Sequence, residues 1–206
     1  MTLSKPIYFD NAATTRCDPR VVEAMLPFFT ETYGNPGSRN HSFGWTSEDA
    51  VETARRQVAA AIGADRKEII FTSGATESNN LAIKGAANMY AKHPAGSDQC
   101  RGHIITAQHE HKATLDPCKR LQKEGFDVTY LEPGADGIIT AKMVEEAMRP
   151  DTILVSIMWA NNEIGTINEI PEIGALCHGR PSGTPTIFHT DGTQWVGKMP
   201  TDVSAA

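Results

Sequence analysis

Apolar positions recur along the first third of the chain at the spacing of a helix. Asp18-Pro19 can cap and start a helix, and Val21, Val22, Met25, Leu26 and Phe29 follow at helical intervals. A second helix is predicted at about residues 46–62, with Gly63 as its stop. Residues 33–44 between them are rich in Gly, Asn, Pro and Ser, which is typical of a loop.

From residue 68 onward, short apolar runs alternate with helical patterns. Strands are predicted at residues 68–72, 103–107, 127–131, 152–158 and 186–190. Helices are predicted at residues 76–90, 112–123, 141–148 and 170–177. Strands that alternate with helices require crossover connections. The predicted fold class is therefore α/β, with a mostly parallel sheet and helices on both faces.

Composition excludes some classes of protein but does not identify a function. The 206 residues carry a net charge of -6 and are 40% hydrophobic and 21% charged, as in ordinary globular proteins. An acidic balance disfavours a nucleic-acid surface, and no apolar run approaches a membrane span. The N-terminus lacks the apolar core of a secretory signal, and the four cysteines are widely spaced with no C-x-x-C pair. Reduced thiols and a cytoplasmic location are expected.

Polar clusters follow the predicted strands at the edge where open α/β sheets bind ligands. Residues 73–76 open a helix after the first strand, where small side chains and free amides favour an anion such as phosphate. The segment lacks the P-loop pattern, and a simple capped helix start is the alternative. His109 and His111 could bind zinc with His103 or Cys118, or one ring could stack on a flat cofactor, or both could be surface residues.

The remaining clusters supply amides and a carboxylate. Asn161 and Asn162 are either turn formers or hydrogen-bonding groups for a ligand. Asp191 could be a turn residue or could pair with a cationic ring nitrogen, as a pyridinium requires. Taken together, an anion cradle, a ring, two amides and a carboxylate match a flat, phosphorylated cofactor that contains a pyridine.

Six ordered motifs resemble the cysteine desulfurases of the IscS/NifS type, within the class V aminotransferase group. The resemblance covers essentially the whole chain. The motifs are YFDNAATT at 8–15, YGNPGSRNHSFGW at 33–45, EIIFTSGATESNNLAIKG at 68–85, EHKATLD at 110–116, NNEIG at 161–165 and HTDGTQWVGK at 189–198. The resemblance implies the large domain of a fold type I aminotransferase, residues 16–206, after an N-terminal segment at 1–15.

The resemblance also implies a cofactor, a reaction and a set of site residues. The family binds pyridoxal 5'-phosphate (PLP) and removes sulfur from L-cysteine, leaving alanine and an enzyme persulfide for iron–sulfur cluster or thio-cofactor assembly. No metal is implied. By the matching motifs, His111 stacks on the pyridine and takes part in proton transfer as the catalytic residue, Asn162 also contacts the substrate carboxylate, and the cofactor-binding residues are Ala75, Thr76, His111, Asn162, Asp191 and Gln194.

Parts of the family pattern lie beyond Ala206. In the family, the lysine that carries the cofactor, the sulfur-accepting cysteine and the arginine for the substrate carboxylate all lie further along. The C-terminal part of the large domain and the small domain are therefore expected to be absent, and this chain alone is expected to be inactive. A split enzyme, a truncated or nicked chain and a degenerate reading frame are all open. Lys198 belongs to the VGK motif and is not assigned the role of the missing lysine.

Partners and rival functions follow from the same resemblance. A homodimer, a complementary C-terminal half or second chain, and a sulfur-acceptor or iron–sulfur scaffold protein are expected. A related class V enzyme, either a selenocysteine lyase or an aminotransferase, is the first rival. A non-catalytic assembly subunit is the second. Because the C-terminal part of the large domain and the small domain are expected to be absent, exposed apolar surface is expected unless a second chain covers it.

Overall fold

The computed structural model describes residues 6–96, 98–179 and 186–204. The chain divides between Ile69 and Ile70 into an N-terminal unit and a C-terminal unit, each compact by itself. The boundary between the two units falls inside the longest of the six sequence motifs.

The N-terminal unit is helical, as the sequence predicts. Its α-helices are α1 (Pro19–Met25), α2 (Pro27–Thr30) and α3 (Ser42–Ile62), and a 3-10 turn spans Arg66–Glu68. Asp18 caps α1 by accepting a 2.8 Å hydrogen bond from the Arg20 N–H. The first predicted helix is interrupted at Leu26 because Pro27 has no N–H to donate.

The long helix α3 begins four residues earlier than predicted and ends where predicted. His41 Nδ1 accepts a 3.3 Å hydrogen bond from the Gly44 N–H, so the cap lies at His41 and the helix begins at Ser42. Gly63 ends it with a φ of 71°, a left-handed conformation that glycine adopts without strain. Large apolar side chains of this unit remain exposed, among them Phe9 at 83% and Phe29 at 69%, as the sequence led us to expect.

The C-terminal unit alternates helices and strands. The helices are α4 (Ala75–Met89), α5 (Lys112–Lys123), α6 (Ala141–Ala147) and α7 (Ile170–His178). The strands are β1 (His103–Ala107), β2 (Asp127–Leu131), β3 (Thr152–Ser156) and β4 (Ile187–His189). Within the described residues they form a parallel sheet in the order β2-β1-β3-β4. Both predictions, the parallel sheet and the α/β class, are confirmed.

Packing on the two faces of the sheet follows the alternation of side chains along each strand. Ile104 and Leu154 face one cluster, which α4 and α5 complete with Ile83 and Leu121. The adjacent residues of the same strands, Ile105 and Val155, face the opposite cluster, and α6 and α7 complete that one. The helices therefore cover both faces, and the buried β1 and β3 form the centre of the unit.

The predicted strand at 68–72 is wrong. The 3-10 turn ends at Glu68, and the residues after it join no strand of the described sheet. Ile70 and Phe71 are 70% and 50% exposed, so the apolar run is not buried as a sheet strand would be. Strand propensity without a neighbouring strand to pair with does not build a ladder.

Two further features bear on function. None of the helices within the described residues has the length and apolar content needed to cross a membrane. All four cysteines are free thiols: Cys17 and Cys100 are exposed, whereas Cys118 and Cys177 are buried.

Candidate active site

The polar clusters that follow β1, β3 and β4 lie at one edge of the sheet and are joined by hydrogen bonds. Asn161 Nδ2, after β3, donates to the carbonyl of His109, after β1, at 3.0 Å. Asn79 Nδ2, on α4, donates to Asp191 Oδ2, after β4, at 2.8 Å. Because the carboxyl ends of parallel strands meet at one edge, segments far apart in sequence converge there.

The N-terminus of α4 offers backbone amides next to open space. Gly74 precedes the helix with a φ of 157°, and nothing lies within 4 Å of where its Cβ would be. Ala75 and Thr76 are exposed in the first turn, where helix N–H groups have no intrahelical partner. Glu77 Oε2 accepts from the N–H and the hydroxyl of Ser73, both at 2.6 Å, which fixes the turn and lowers the pKa of Glu77. This geometry fits a phosphate group.

His111 is the N-cap of α5. Its Nδ1 accepts a 3.1 Å hydrogen bond from the Ala113 N–H, so Nε2 is the ring nitrogen that remains for a ligand or a proton. The side chain is exposed and borders a cleft of about 240 Å³ that Thr76 also borders. The structure thus brings the predicted ring and the predicted phosphate-binding residue to one cleft between α4 and α5.

Asp191 is a buried, ionised carboxylate. It is 8% exposed, and its Oδ1 accepts from the Thr193 N–H at 2.9 Å while Oδ2 accepts from Asn79. Burial alone would raise the pKa of Asp191, but the hydrogen bonds from Thr193 and Asn79 outweigh it and hold the pKa below its ordinary value. A negative charge is therefore fixed at the carboxyl end of β4.

The two adjacent asparagines have different roles. Asn161 is a buried turn former, since its Oδ1 accepts from the N–H groups of Glu163 and Ile164 at 2.8 and 3.0 Å. Asn162 is half-buried, and no hydrogen bond to its side chain is found within the described ranges. Gln194 is also half-buried, and its Oε1 accepts a hydrogen bond from Lys198 Nζ.

The structure argues against His103 and Cys118, the two residues that the sequence offered as further zinc ligands. Both ring nitrogens of His103 lie 2.8 Å from threonine hydroxyls, those of Thr152 and Thr129. Burial raises the pKa of Cys118 to about 12, which disfavours the thiolate that zinc requires. Across residues 6–96, 98–179 and 186–204, no three His, Cys, Asp or Glu side chains group as metal ligands.

Three polar residues of the site were given no role in the sequence analysis. Asn79 holds Asp191, and Thr114 Oγ1 lies 3.5 Å from Asn79 Nδ2. Glu110 is 5% exposed, and its Oε1 accepts from the Met158 N–H at 2.6 Å. Asn79 and Glu110 lie inside motifs used for the resemblance, but no periodicity marks them as site residues.

The fold and the site are those of an α/β protein whose candidate binding site lies at the carboxyl edge of a parallel sheet. The sequence model of the aminotransferase class-V family matches residues 7–206, and the chain belongs to that family.

Curated relatives share the sequence at high identity. The cysteine desulfurase IscS of Neisseria meningitidis serogroup A is 53% identical over 207 residues, which is 100% of this chain and 48% of that protein. The cysteine desulfurase IscS of Salmonella arizonae is 56% identical over 201 residues, 97% of this chain and 47% of that protein. The chain therefore spans about half the length of the curated relatives it matches.

Solved structures share the fold. A NifS-like protein superposes with a TM-score of 0.86 and 40% identity, covering 96% of this chain and 51% of that one. A structure of SspA in complex with cysteine gives a TM-score of 0.85 and 42% identity, covering 96% of this chain and 54% of that one.

Proposed function

We propose that the protein acts as a PLP-dependent cysteine desulfurase, in which this chain supplies the cofactor cradle. L-Cysteine loses its sulfur to the thiol of an acceptor cysteine, so that alanine and a persulfide are the products. The persulfide sulfur then serves iron–sulfur cluster or thio-cofactor assembly. The curated IscS relatives and the structural neighbour solved with cysteine support this substrate over other amino acids.

The ionised Asp191 is the observation that carries the proposal. PLP, when bound, withdraws electrons from the bonds at the substrate α-carbon, and its pyridine nitrogen needs an anionic partner for that. Asp191 provides this charge in a buried place, where hydrogen bonds rather than solvent stabilise it. A buried ionisable group that is held in its charged form by specific partners is a candidate for a functional site.

The start of α4 would hold the phosphate. Ala75 and Thr76 lie in the first turn, where the amides and the positive end of the helix dipole favour an anion. The open space at Gly74 admits a group that approaches the backbone closely.

His111 would stack on the pyridine ring from the start of α5. Because the Ala113 N–H occupies Nδ1, Nε2 is the atom at which His111 would hold or move a proton. Asn162 and Gln194 would donate amide N–H groups around the phenolic oxygen of the cofactor, and Asn162 would also contact the substrate carboxylate. Lys198 Nζ donates to the amide oxygen of Gln194, so Nε2 is the donor end of that amide.

The proposal extends to organisation and partners. Residues 1–15 would be an N-terminal segment and residues 16–206 part of the PLP-binding large domain, completed by a C-terminal half or a second chain. A homodimer that works in the cytoplasm with a sulfur-acceptor or iron–sulfur scaffold protein is proposed on the basis of the family. The chain spans about half of each of these curated relatives.

The test is alanine formation from L-cysteine by the protein as the cell makes it, supplied with PLP. We expect Asp191→Asn to lower the rate by about 10²- to 10³-fold, as loss of one preorganised electrostatic contact does. Asp98→Asn, an exposed charge change, is the matched control and should leave the rate unchanged. If the protein prefers selenocysteine or transamination substrates to L-cysteine, its activity is another class V activity and not that of a desulfurase. Failure of the wild-type protein to bind PLP would overturn the proposal.

A further inference from the structure

Asn79 occupies an unusual place for its residue type. It lies in the interior of α4 and is 4% exposed, although asparagine is a weak helix former and is rarely buried without partners. A leucine or alanine there would favour both the helix and the core. The amide of Asn79 must therefore make contacts whose benefit outweighs these costs.

The amide of Asn79 joins segments that are distant in sequence. Nδ2 donates to Asp191 Oδ2 at 2.8 Å and lies 3.5 Å from Thr114 Oγ1 on α5. The second of these is at the limit of a hydrogen bond, so the contact with Asp191 dominates. A single side chain thus ties the helix that begins at the proposed phosphate site to the carboxylate after β4.

The carboxylate of Asp191 keeps room for one more donor. Oδ1 accepts from the Thr193 N–H and Oδ2 accepts from Asn79, and each carboxylate oxygen can accept two hydrogen bonds. One donor from the turn that follows Asp191 and one from α4 fix both the position and the rotation of the carboxylate. They leave acceptor capacity for a ring N–H.

The neighbouring titratable groups, Glu110 and His189, do not stabilise the charge of Asp191 in place of Asn79. Burial raises the pKa of Glu110 to about 8 and lowers that of His189 to about 4, so both are mainly neutral at pH 7. The hydrogen bonds from Thr193 and Asn79 are thus the main interactions that offset the effect of burial on the pKa of Asp191. Removing a partner from a buried charge costs more than the hydrogen bond itself.

We propose that Asn79 is the positioning residue that fixes the Asp191 carboxylate for the pyridine nitrogen of the cofactor. The inference rests on the proposed function. Asn79 does not contact the substrate. It acts through Asp191, and in that way it sets how strongly the cofactor can withdraw electrons. The α4 helix therefore serves both ends of the cofactor: its first turn serves the phosphate, and Asn79 serves the partner of the ring.

The test compares Asn79→Ala, Asn79→Asp and a control, Asn88→Ala, near the exposed end of the same helix. The pKa of Asp191 is measured without cofactor, from the ¹³C shift of its carboxyl carbon. We expect Asn79→Ala to raise this pKa and Asn79→Asp to raise it further, because two adjacent carboxylates resist joint ionisation. Asn88→Ala should leave it unchanged.

A second readout connects the effect to the cofactor. PLP affinity, followed by absorbance titration across pH, should fall about tenfold or more in Asn79→Asp and should fall least at low pH, where the added carboxyl is protonated. An unchanged Asp191 pKa in both folded Asn79 variants would overturn the inference, even if thermal stability falls. A shifted pKa in a protein that binds no PLP would keep the Asn79–Asp191 coupling and overturn the proposed function instead.

Discussion

Glu110 Oε1 accepts a 2.6 Å hydrogen bond from the backbone N–H of Met158, which links the loop after β1 to the chain that leaves β3. Glu110 is 5% exposed, and burial is the main reason that its pKa rises to about 8. The negative charge of Asp191 raises it as well. Two acidic side chains at the same sheet edge are therefore in opposite charge states at pH 7.

Glu110 should make the protein less stable as pH rises. Its pKa is about 8 when folded against 4.5 ordinarily, so between these values the unfolded chain releases a proton that the folded protein keeps. We expect Glu110→Gln to remove this slope and to gain roughly 2–4 kcal/mol at pH 8, at about 1.4 kcal/mol per pKa unit. Urea unfolding at several pH values measures it. Glu132→Gln, an exposed change, should keep the slope, and a wild-type slope in Glu110→Gln would contradict the assignment.

His103 should act in the opposite direction at lower pH. Burial lowers its pKa from 6.5 to about 4, so between these values the unfolded chain takes up a proton that the folded protein does not. Stability then falls as pH falls from 6.5 towards 4. We expect His103→Gln to flatten the slope partly, leaving the share that the buried His189 contributes. An exposed control, His178→Gln, should retain the full slope, and no flattening in His103→Gln would refute the prediction.

His111 should separate into a capping role and a ring role. His111→Asn keeps a capping oxygen but loses the ring, whereas His111→Phe keeps a ring but loses the acceptor for the Ala113 N–H. We expect His111→Phe to cost about 1 kcal/mol of stability and His111→Asn to cost little. PLP affinity should fall more in His111→Asn than in His111→Phe, because only the phenylalanine keeps a ring that can stack on the pyridine. Urea unfolding and absorbance titration of both variants decide it, and equal PLP affinities would argue against stacking.

Two glycine substitutions should change stability in opposite directions. Gly102 has a φ of 143°, and an added Cβ would lie 2.8 Å from Ile153 Cδ1 in the core, so Gly102→Ala should destabilise by about 1–3 kcal/mol. Gly85 lies in α4 with open space around its Cβ position, so Gly85→Ala should stabilise by roughly 0.5–1 kcal/mol. Thermal unfolding of both variants checks the signs. Equal shifts would mean that neither backbone geometry nor packing at Gly102 is as described.

Local elements could be predicted from the sequence because their causes are local. The bounds of β1, α5 and β2 match the predicted ones, and Gly63 ends α3 as expected from its place after an apolar helical run. One error had a local cause, because the side chain of His41 caps α3 and starts it four residues before the predicted position. The other was decided by tertiary structure, because residues 68–72 have strand propensity but no strand to pair with.

Some residues of the candidate site could likewise be predicted from the sequence, and others could not. The sequence marked His111 and Asp191 because each follows a strand, and residue type gave their candidate chemistry. It could not mark Asn79, because its contact with Asp191 spans 112 positions and exists only once α4 packs beside β4. Likewise, it offered His103 as a metal ligand, whereas the packed sheet places threonine hydroxyls at both ring nitrogens.

By itself, the sequence determined the order of helices and strands, the parallel topology and the chemical types at the strand ends. These depend on spacing, on capping residues and on the alternation of apolar side chains. Only the tertiary structure decided which carboxyl is charged: Asp191 is ionised and Glu110 is mainly protonated at pH 7. Both are buried carboxyls at one sheet edge, and burial by itself raises the pKa of each. For Asp191, the hydrogen bonds from nearby Thr193 and from Asn79, which the packing of α4 brings to it, outweigh that effect. For Glu110, the hydrogen bonds with Met158 and Thr114 do not outweigh it, and the charge of Asp191 raises the pKa further.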